Sequence, residues 1–332
     1  MKAPFSPITP ITRIILITLM ATLASCEYKD LCYDHNHGSQ YNLMLELNLD
    51  LDLDVDLEVS EEAHTKIEIP TYMVVAFYNP ESGALVKTEY VGPYGGQLHV
   101  DPGTYDMVVY SFDTEWTQIR GESNINTLEA FTSDISALKR PQLSYFDREG
   151  LDEAPGPIIY TPDHLLTAHM QVEIPPYSTD GQVMTISATA ATAVETYGFE
   201  VRNVTGIQYI ASVEAFVTNQ ARSSFFGLGE VSQEPATVYF PLDVSIDEGV
   251  LKSTFNTFGK LPGESFSYLH ILLMDTEGTP FTITEDITDQ FDDPGHLIVV
   301  EDTVFIPPPQ TGGGIAPTVD EWEEENHDVN IG

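Results

Sequence analysis

The acidic residues between positions 50 and 58 are the first group in this chain whose types and spacing suggest chemistry. Asp50, Asp52 and Asp54 alternate with leucines, and carboxylate oxygens are ligands that Ca²⁺ prefers. A calcium loop of that spacing needs a tight turn with glycine after the third acid, whereas Val55 stands there. On a strand, neighbouring carboxylates of one face lie about 6.6 Å apart, too far to share one ion unless another strand contributes. We therefore expect a solvated acidic face screened by divalent cations, not a specific metal site.

The histidines give no clearer indication of a metal centre or a catalytic base. Asp34, His35 and His37 lie close together, but a solitary Asp-His-x-His lacks the further ligand cluster of a zinc site. The histidines at 64, 99, 164, 169, 270 and 296 are scattered among predicted strands and turns. The sequence has no nucleophile-elbow, H-E-x-x-H, phosphate-loop or dinucleotide motif. We predict a protein that is not an enzyme and has no cofactor.

Cys26 carries the clearest predicted chemistry, as a site of lipidation. Lys2 and Arg13 give residues 1–25 a positive start, and an apolar stretch from Ile14 to Ala24 follows, which predicts a secretory signal. The string Leu23–Cys26 resembles the bacterial lipoprotein signal, in which cleavage leaves an acylated cysteine at the N-terminus. Several acyl chains make such anchoring stable. In the alternative, a protein secreted without a lipid, Cys26 and Cys32 are free to form a disulfide.

The charge of the chain excludes several classes of partner. Lys2 and Arg13 are the only charged residues before Cys26, so the chain from Cys26 onward keeps 11 of the 13 basic residues and all 52 acidic ones, a formal charge of −41. Nucleic-acid binding requires clustered Lys and Arg, so we expect no nucleic-acid partner. An anionic membrane surface would repel this polypeptide. Its contact with a lipid bilayer is therefore predicted to run through acylated Cys26.

The element that must position the acidic row is the segment from Tyr41 to Val59, YNLMLELNLDLDLDVDLEV. Every odd position from Leu43 onward is apolar, and most even positions are acidic. Side chains on a strand alternate between faces, whereas a helix would spread these acids around its circumference. The pattern predicts one unusually long strand, or two strands joined at a bend, with the leucines in a core.

The rest of the chain predicts an all-β fold. Short apolar or aromatic segments alternate with Pro- and Gly-containing turns, which is typical of antiparallel sandwiches, and residues 125–138 leave room for a helical turn or two. We predict a tether (26–40) and two β-sandwich domains in tandem (41–160 and 161–306). The predicted strands after the first are Tyr72–Tyr78, Ala84–Val91, Gln97–Val100, Thr104–Phe112, Val172–Ile174, Gln182–Ala190, Val194–Val204, Tyr209–Val217, Thr237–Val244, Leu251–Phe258, Phe266–Met274, Thr279–Ile287 and Leu297–Phe305.

Residues 307–332 are predicted to form a Pro/Gly hinge and an acidic tail. Pro307–Pro309 stops strand pairing, and Gly312–Gly314 provides the hinge. Two interpretations of the tail from Ile315 to Gly332 stay open. It is either an acidic disordered end or, because it carries apolar residues such as Trp322, a strand that docks on its own fold or on a neighbour.

Several strings in this chain resemble an uncharacterised Bacteroidetes lipoprotein family, a domain of unknown function. The resemblance runs from Cys26 to the C-terminus, although the acidic run Asp50–Glu58 is longer and more regular than that family leads one to expect. More distantly, the turn from Pro102 to Tyr105 resembles fimbrillin-associated anchor and minor fimbrial subunit lipoproteins, which implies two transthyretin-like β-sandwiches behind a lipidated cysteine. The strings are Leu31–His37, Gly92–Gly96, Pro102–Tyr105, Tyr110–Glu115, Thr254–Gly259 and Gly312–Trp322.

These observations predict a non-catalytic lipoprotein of the outer membrane, lipid-anchored and exposed at the cell surface. The distant resemblance implies a fimbrial anchor or accessory subunit, or an adhesion protein, whose partners are other fimbrial or surface subunits bound through strand edges. The alternative is a surface lipoprotein that binds a carbohydrate or another host ligand. Aromatic residues at turns favour it, because they stack on sugar rings; they are Tyr94, Trp116, Phe225 and Phe226.

Overall fold

Strands make up most of this protein, as seen in a computed structural model that describes residues 41–53, 67–112, 114–146, 156–175, 183–261, 263, 266–293, 295–301 and 304–309. These residues belong to one compact unit that begins at Tyr41. The predicted all-β class is confirmed. The strands of the first half are β1 (Leu43–Leu49), β2 (Met73–Tyr78), β3 (Leu85–Val91), β4 (Gly95–Leu98), β5 (Gly103–Ser111), β6 (Gln118–Arg120), β7 (Glu129–Phe131), β8 (Ile158–Tyr160), β9 (Leu166–Ile174) and β10 (Met184–Thr192).

The second half of the chain continues the same pattern, and its strands are β11 (Glu195–Val201), β12 (Val204–Thr205), β13 (Ile210–Ala221), β14 (Ser223–Phe225), β15 (Glu230–Val231), β16 (Pro235–Pro241), β17 (Asp243–Ser245), β18 (Val250–Thr257), β19 (Tyr268–Asp275), β20 (Pro280–Asp286), β21 (Leu297–Val300) and β22 (Val304–Phe305). Helical structure among the described residues comprises α1 (Ser136–Leu143) and three 3-10 turns, Ile125–Thr127, Ile207–Tyr209 and Thr288–Asp292.

Seven strands form the first sheet, in the order β3-β2-β5-β9-β10-β1-β4. Leu43, Leu45 and Leu47 of β1 point into its core, which we call the first core, while Glu46 and Asn48 face solvent. The predicted leucine face is therefore confirmed where β1 runs. The other buried residues of the first core come mainly from the inner faces of β2, β5, β9 and β10, among them Met73, Val75, Phe77, Met107, Val109, Val172, Ile174 and Ile186.

The first strand is shorter than its sequence pattern. β1 ends at Leu49, which forms the last pair with β10 through Ala190; the next residue of β10, Ala191, pairs with Thr167 of β9. Residues 50–53 leave the sheet, with Leu51 and Leu53 still packed on the first core. A single strand running on from Leu49 through these residues is therefore wrong. Residues 54–59 lie outside the described part of the chain.

The two ends of the seven-stranded sheet are joined by a tight turn between β3 and β4. Gly92 and Gly95 form a bridge across it, and Gly95 has a φ of 98°. A Cβ on Gly95 would lie 2.0 Å from the carbonyl oxygen of Leu45, so only glycine fits. On the far side of this corner, the ammonium of Lys87 in β3 donates to the carbonyl of His99, just beyond β4. The sheet therefore curls towards closure.

A second core lies between a five-stranded sheet, β20-β19-β13-β16-β8, and a four-stranded sheet, β17-β18-β11-β21. The inner faces meet through large aromatic and aliphatic side chains, with Phe240 and Phe255 stacked 4.3 Å apart between ring centroids. A small sheet, β15-β14-β7-β6, packs on the outer face of β2 and β5. Its β14 is followed by Phe226, whose ring meets Tyr110 at 5.3 Å.

Strand pairing crosses residue 160, the predicted boundary between the two domains. β9 and β10 come after that position, yet β9 pairs with β5 along eight residues and β10 pairs with β1 along seven. β8 ends at Tyr160 and pairs with β16 of the five-stranded sheet. The segment 166–192, which the sequence analysis assigns to the second set of strands, thus completes the first sheet. Local patterning cannot reveal this, because it does not specify partners.

Candidate interaction surface

The residues predicted to carry lipid or metal chemistry mostly lie outside the described part of the chain. This holds for the signal segment 1–25, Cys26, Cys32, Asp34, His35 and His37, for Asp54–Glu58 and for the tail from 310 to 332. Asp50 and Asp52 are described and exposed, and the amide of Asp52 donates to Oδ1 of Asp50 at 3.4 Å. Among the described residues, no group of three or more His, Cys, Asp or Glu side chains is arranged to hold a metal ion.

The histidines within the described ranges make local contacts. His270 in β19 is fully buried, with Nδ1 3.0 Å from the Thr284 hydroxyl. Its ring lies 5.1 Å from that of Phe146. Burial lowers the pKa of His270 from 6.5 to about 4, because the charged form would lose its hydration. His296 stacks on Tyr197 at 4.9 Å. These two rings belong to the packing of the second half of the chain.

The four aromatic residues proposed as sugar-binding platforms differ in their exposure to solvent. Tyr94 is 62% exposed at the β3–β4 turn, and Trp116 is 37% exposed, with its ring tilted against that of Tyr160 at 4.6 Å between centroids. Phe225 is half-buried. Phe226 is buried at 5% exposure in the contact with Tyr110, so its proposed role as a surface platform is wrong. Alternation along a short strand could not reveal which of the two phenylalanines the small sheet covers.

A different set of aromatic side chains forms an exposed group at one end of β2, β3 and β5. Tyr72 contacts Tyr90 at 5.9 Å and Phe112 at 6.5 Å between ring centroids. Tyr90 is 66% exposed and Phe112 48%. We call these three residues the aromatic cluster. The sequence did not reveal it, because Tyr72 precedes β2, Tyr90 lies in β3 and Phe112 follows β5, and they meet only through the pairing of β2 with both neighbours.

A cleft of about 270 Å³ lies beside α1, on the outer face of the five-stranded sheet. Lys139 of α1 reaches across to Glu214 of β13 at 2.6 Å, with its ammonium 3.9 Å from the ring centre of Tyr239. The charge pair fastens the helix to the sheet. The cleft wall is made mostly of apolar and neutral polar side chains, namely Pro141, Gln142, Tyr145, Ser212, Leu272 and Met274, together with Glu214.

Several strand edges are covered by local groups. The edge of β8 is bonded by residues before and within α1, since Ile135 donates to the Ile158 carbonyl and the Ile158 amide donates to the Ser136 hydroxyl. At β21, the Val299 amide donates to the side-chain oxygen of Gln290 at 2.8 Å. Backbone groups at a bare edge are a template for another strand, so this covering limits where a partner strand can add.

β20 is a seven-residue strand whose outer edge is open at the end of its sheet, as β3 is at the end of the seven-stranded sheet. It pairs with β19 along all seven of its residues, and no other strand among the described residues bonds its second edge. Its exposed side chains, such as Thr282 and Thr284, alternate with a covered row in which Ile283 is buried and Phe281 and Glu285 are partly exposed. Pro280 begins the strand and acidic residues end it, features that discourage indiscriminate pairing. An edge of this kind can accept an extended segment of a selected partner.

No helix among the described residues is both long and apolar enough to cross a membrane. The described surface of this all-β body includes the open edge of β20 and the exposed aromatic cluster. A family model described as a domain of unknown function (DUF5119) matches residues 25–241, and the chain belongs to this family. The resemblance inferred from the sequence is thereby confirmed.

Individual relatives cover more of the chain than the family model does. A protein of Bacteroides ovatus named "Putative fimbrium anchoring subunit Fim4B" is 22% identical over an alignment of 296 residues, which covers 78% of this chain and 84% of the relative. A crystal structure from the same species, named as that of a "putative adhesin", is 22% identical to this chain. It superposes with a TM-score of 0.55 and covers 86% of this chain and 98% of that one. The fimbrial anchor protein Mfa2 of Porphyromonas gingivalis gives a TM-score of 0.41 at 14% identity, over 77% of this chain and 90% of that one.

Proposed function

We propose that this protein is a non-catalytic cell-surface lipoprotein that acts as a fimbrial anchor or accessory subunit, or as an adhesion protein, through contacts made along a strand edge. The observation that carries the proposal is the open edge of β20. The name of the Bacteroides ovatus relative supports the fimbrial context. In this proposal the partners are other fimbrial or surface subunits, and the fold comprises two transthyretin-like sandwiches. The first sandwich would extend to Thr192, because β9 and β10 belong to its sheet.

Site-specific crosslinking in intact cells tests the strand-edge contact. A photocrosslinker attached to Thr282→Cys on β20 is expected to capture a surface subunit. Glu46→Cys is the control, because Glu46 is also exposed but lies on β1, where it pairs with Ser187 of β10 on one side and with Gly95 of β4 on the other. Capture of the same products from both positions, or from neither, would contradict the proposal.

The same proposal places the lipid anchor at Cys26 and the protein in the outer membrane. Several acyl chains would hold the strongly acidic polypeptide at a surface that its charge does not favour. Labelled palmitate is expected to enter the wild-type protein and the Cys32→Ser variant but not Cys26→Ser. Incorporation of palmitate into the Cys26→Ser variant would contradict the proposal that Cys26 carries the lipid.

The aromatic cluster favours a second candidate function, the binding of a carbohydrate. Exposed rings such as Tyr90 and Phe112 offer flat apolar faces. Glycan-array binding that is lost in Tyr90→Ala, and kept when the half-buried Tyr209 is changed to Ala, would support this alternative. An array without binding to the wild-type protein would exclude it for the sugars tested.

A further inference from the structure

The strand by which the chain enters the described fold is held on both sides. β1 pairs in parallel with β10 from Leu43–Met184 to Leu49–Ala190, and antiparallel with β4 along four residues. The backbone amide of Asp50 extends the contact to the Ala190 carbonyl at 2.9 Å. Its inner row of Leu43, Leu45 and Leu47 is buried to 4% exposure or less. Moving β1 along its own axis would disturb two hydrogen-bond ladders and three buried side chains together.

Asn42 closes the entry end of this strand with four hydrogen bonds. Its side-chain Nδ2 donates to the carbonyl of Val100 at 2.7 Å, and its Oδ1 accepts from the amide of Val100 at 3.0 Å. Its backbone amide donates to Leu98, and its carbonyl accepts from Met184. Asn42 is 8% exposed, so these bonds are shielded from water. The residue ties the start of β1 to the chain following β4 and to the start of β10.

The connection between the two cores sets the direction in which this strand would carry tension. β10 leaves the first sheet at Thr192 and continues almost directly into β11, which starts at Glu195 and belongs to the second core. Because β1 and β10 are parallel, a pull between Tyr41 and the second core acts on opposite ends of the pair. The bonds between them are then loaded together in shear, whereas a pull on the same ends would break them one at a time.

We propose that β1, with Asn42 at its entry end, is a shear clamp that passes tension from the N-terminal attachment into the folded body. This proposal rests on the proposed function for the source of the tension, namely a lipid anchor on one side and a surface or fimbrial partner on the other. In this proposal Asn42 resists mechanical force, in addition to stabilising the folded chain. The three leucines supply the apolar part of the resistance.

Force spectroscopy in two geometries tests the clamp on the chain from Glu27 to Gly332. Handles at the two termini pull β1 and β10 from opposite ends, and handles at Asp52→Cys and the C-terminus pull both from the same end. Asp52 is exposed, so the substitution leaves the core intact. The event that releases β1 is expected at higher force in the first geometry at equal loading rate. Equal forces in the two geometries would overturn the proposal.

Two asparagine variants separate a mechanical role from ordinary stabilisation. Asn42→Ala removes two side-chain hydrogen bonds and is expected to raise the rupture rate at fixed force about tenfold with terminal handles. Asn48→Ala is the matched control, since Asn48 is an exposed residue of the same strand, and no change is expected. With the Asp52→Cys handle, Asn42→Ala should have little effect, because its bonds lie at the end that breaks last.

A rupture rate that Asn42→Ala raises equally in both geometries would reduce Asn42 to a stabilising residue and overturn the clamp. The wild-type comparison of geometries keeps the test decisive if that variant does not fold. Neither experiment contains a membrane or a fimbrial partner, so failure of the clamp is distinguishable from failure of the proposed function, which the crosslinking at Thr282 tests.

Discussion

β1 and β20 are both strands with an apolar inner row, but they occupy opposite situations in the fold. β1 has a paired neighbour on each side and buries three leucines. β20 has one paired neighbour and fully buries only Ile283, with Phe281 partly covered. The number of bonded edges, more than the amphipathic pattern, therefore separates a strand that belongs to the rigid body from one that is available to a partner.

Truncating a buried apolar side chain should destabilise the protein more in β1 than in β20, and this difference is the largest effect expected. Leu45→Ala is expected to lower the free energy of unfolding by about 4 kcal/mol, because the cavity lies inside a sheet that is fixed on both sides. Ile283→Ala should lower it by about 2 kcal/mol, because an edge strand can collapse towards the gap. Urea denaturation of both variants measures the difference. Equal losses would mean that β20 is held as firmly as β1.

Protonation of His270, which pairs across the ladder with Thr284 of β20, is expected to have the next largest effect. Its folded pKa is about 4, below the ordinary 6.5, so the unfolded chain binds a proton first as the pH falls. The contribution of neutral His270 to the free energy of unfolding is fully present above pH 6.5. It is lost as the pH falls from 6.5 to 4, and the loss reaches about 3 kcal/mol at pH 4.

The slope of stability against pH checks this expectation. His270→Gln should flatten the slope between pH 6.5 and 4 relative to wild type, because the variant lacks the buried imidazole. An unchanged slope in His270→Gln would contradict the prediction and mean that other groups set the pH dependence of stability in this range.

Two glycines in turns next to β1 and β20 should differ in how well they tolerate substitution. Gly95→Ala should cost about 3 kcal/mol, because the new Cβ adds a clash with the Leu45 carbonyl to an unfavourable φ of 98°. Gly278→Ala, in the turn before β20, should cost about 1 kcal/mol, because its φ is 81° but nothing lies within 4 Å of the added atom. Thermal unfolding of the two variants gives the order. A larger loss for Gly278→Ala would reverse it.

The smallest effect on stability is expected at the open edge itself. Thr282→Lys should change the free energy of unfolding by less than about 0.5 kcal/mol, as for most exposed positions, yet it should reduce capture of the surface partner. Glu46→Lys on β1, which is paired on both sides at that position, should leave both properties unchanged. Retention of full capture by Thr282→Lys would move the partner contact away from β20.

Much of the architecture could be predicted because strand patterning is local. The alternation from Leu43 to Leu49 placed the leucines inward, and the predicted strand Tyr72–Tyr78 corresponds to β2 within one residue. The assignment of strands to sheets could not be predicted, since β9 and β10 carry no mark of their partners. Phe226 and His270 were ambiguous for the same reason, because their burial depends on what packs over them. The aromatic cluster and the Asn42 bonds likewise arise from pairing between distant strands.

The sequence by itself determined the strand-rich composition, the acidic charge, the lipoprotein-like start and the inward row of leucines, because each depends on residue type and on a period of two. Only the tertiary structure decided that β1 lies between two neighbours while β20 has one, and that the start of β1 is tied to Val100 by Asn42. Strand order is set by the burial of whole faces against distant parts of the chain, which no local pattern encodes.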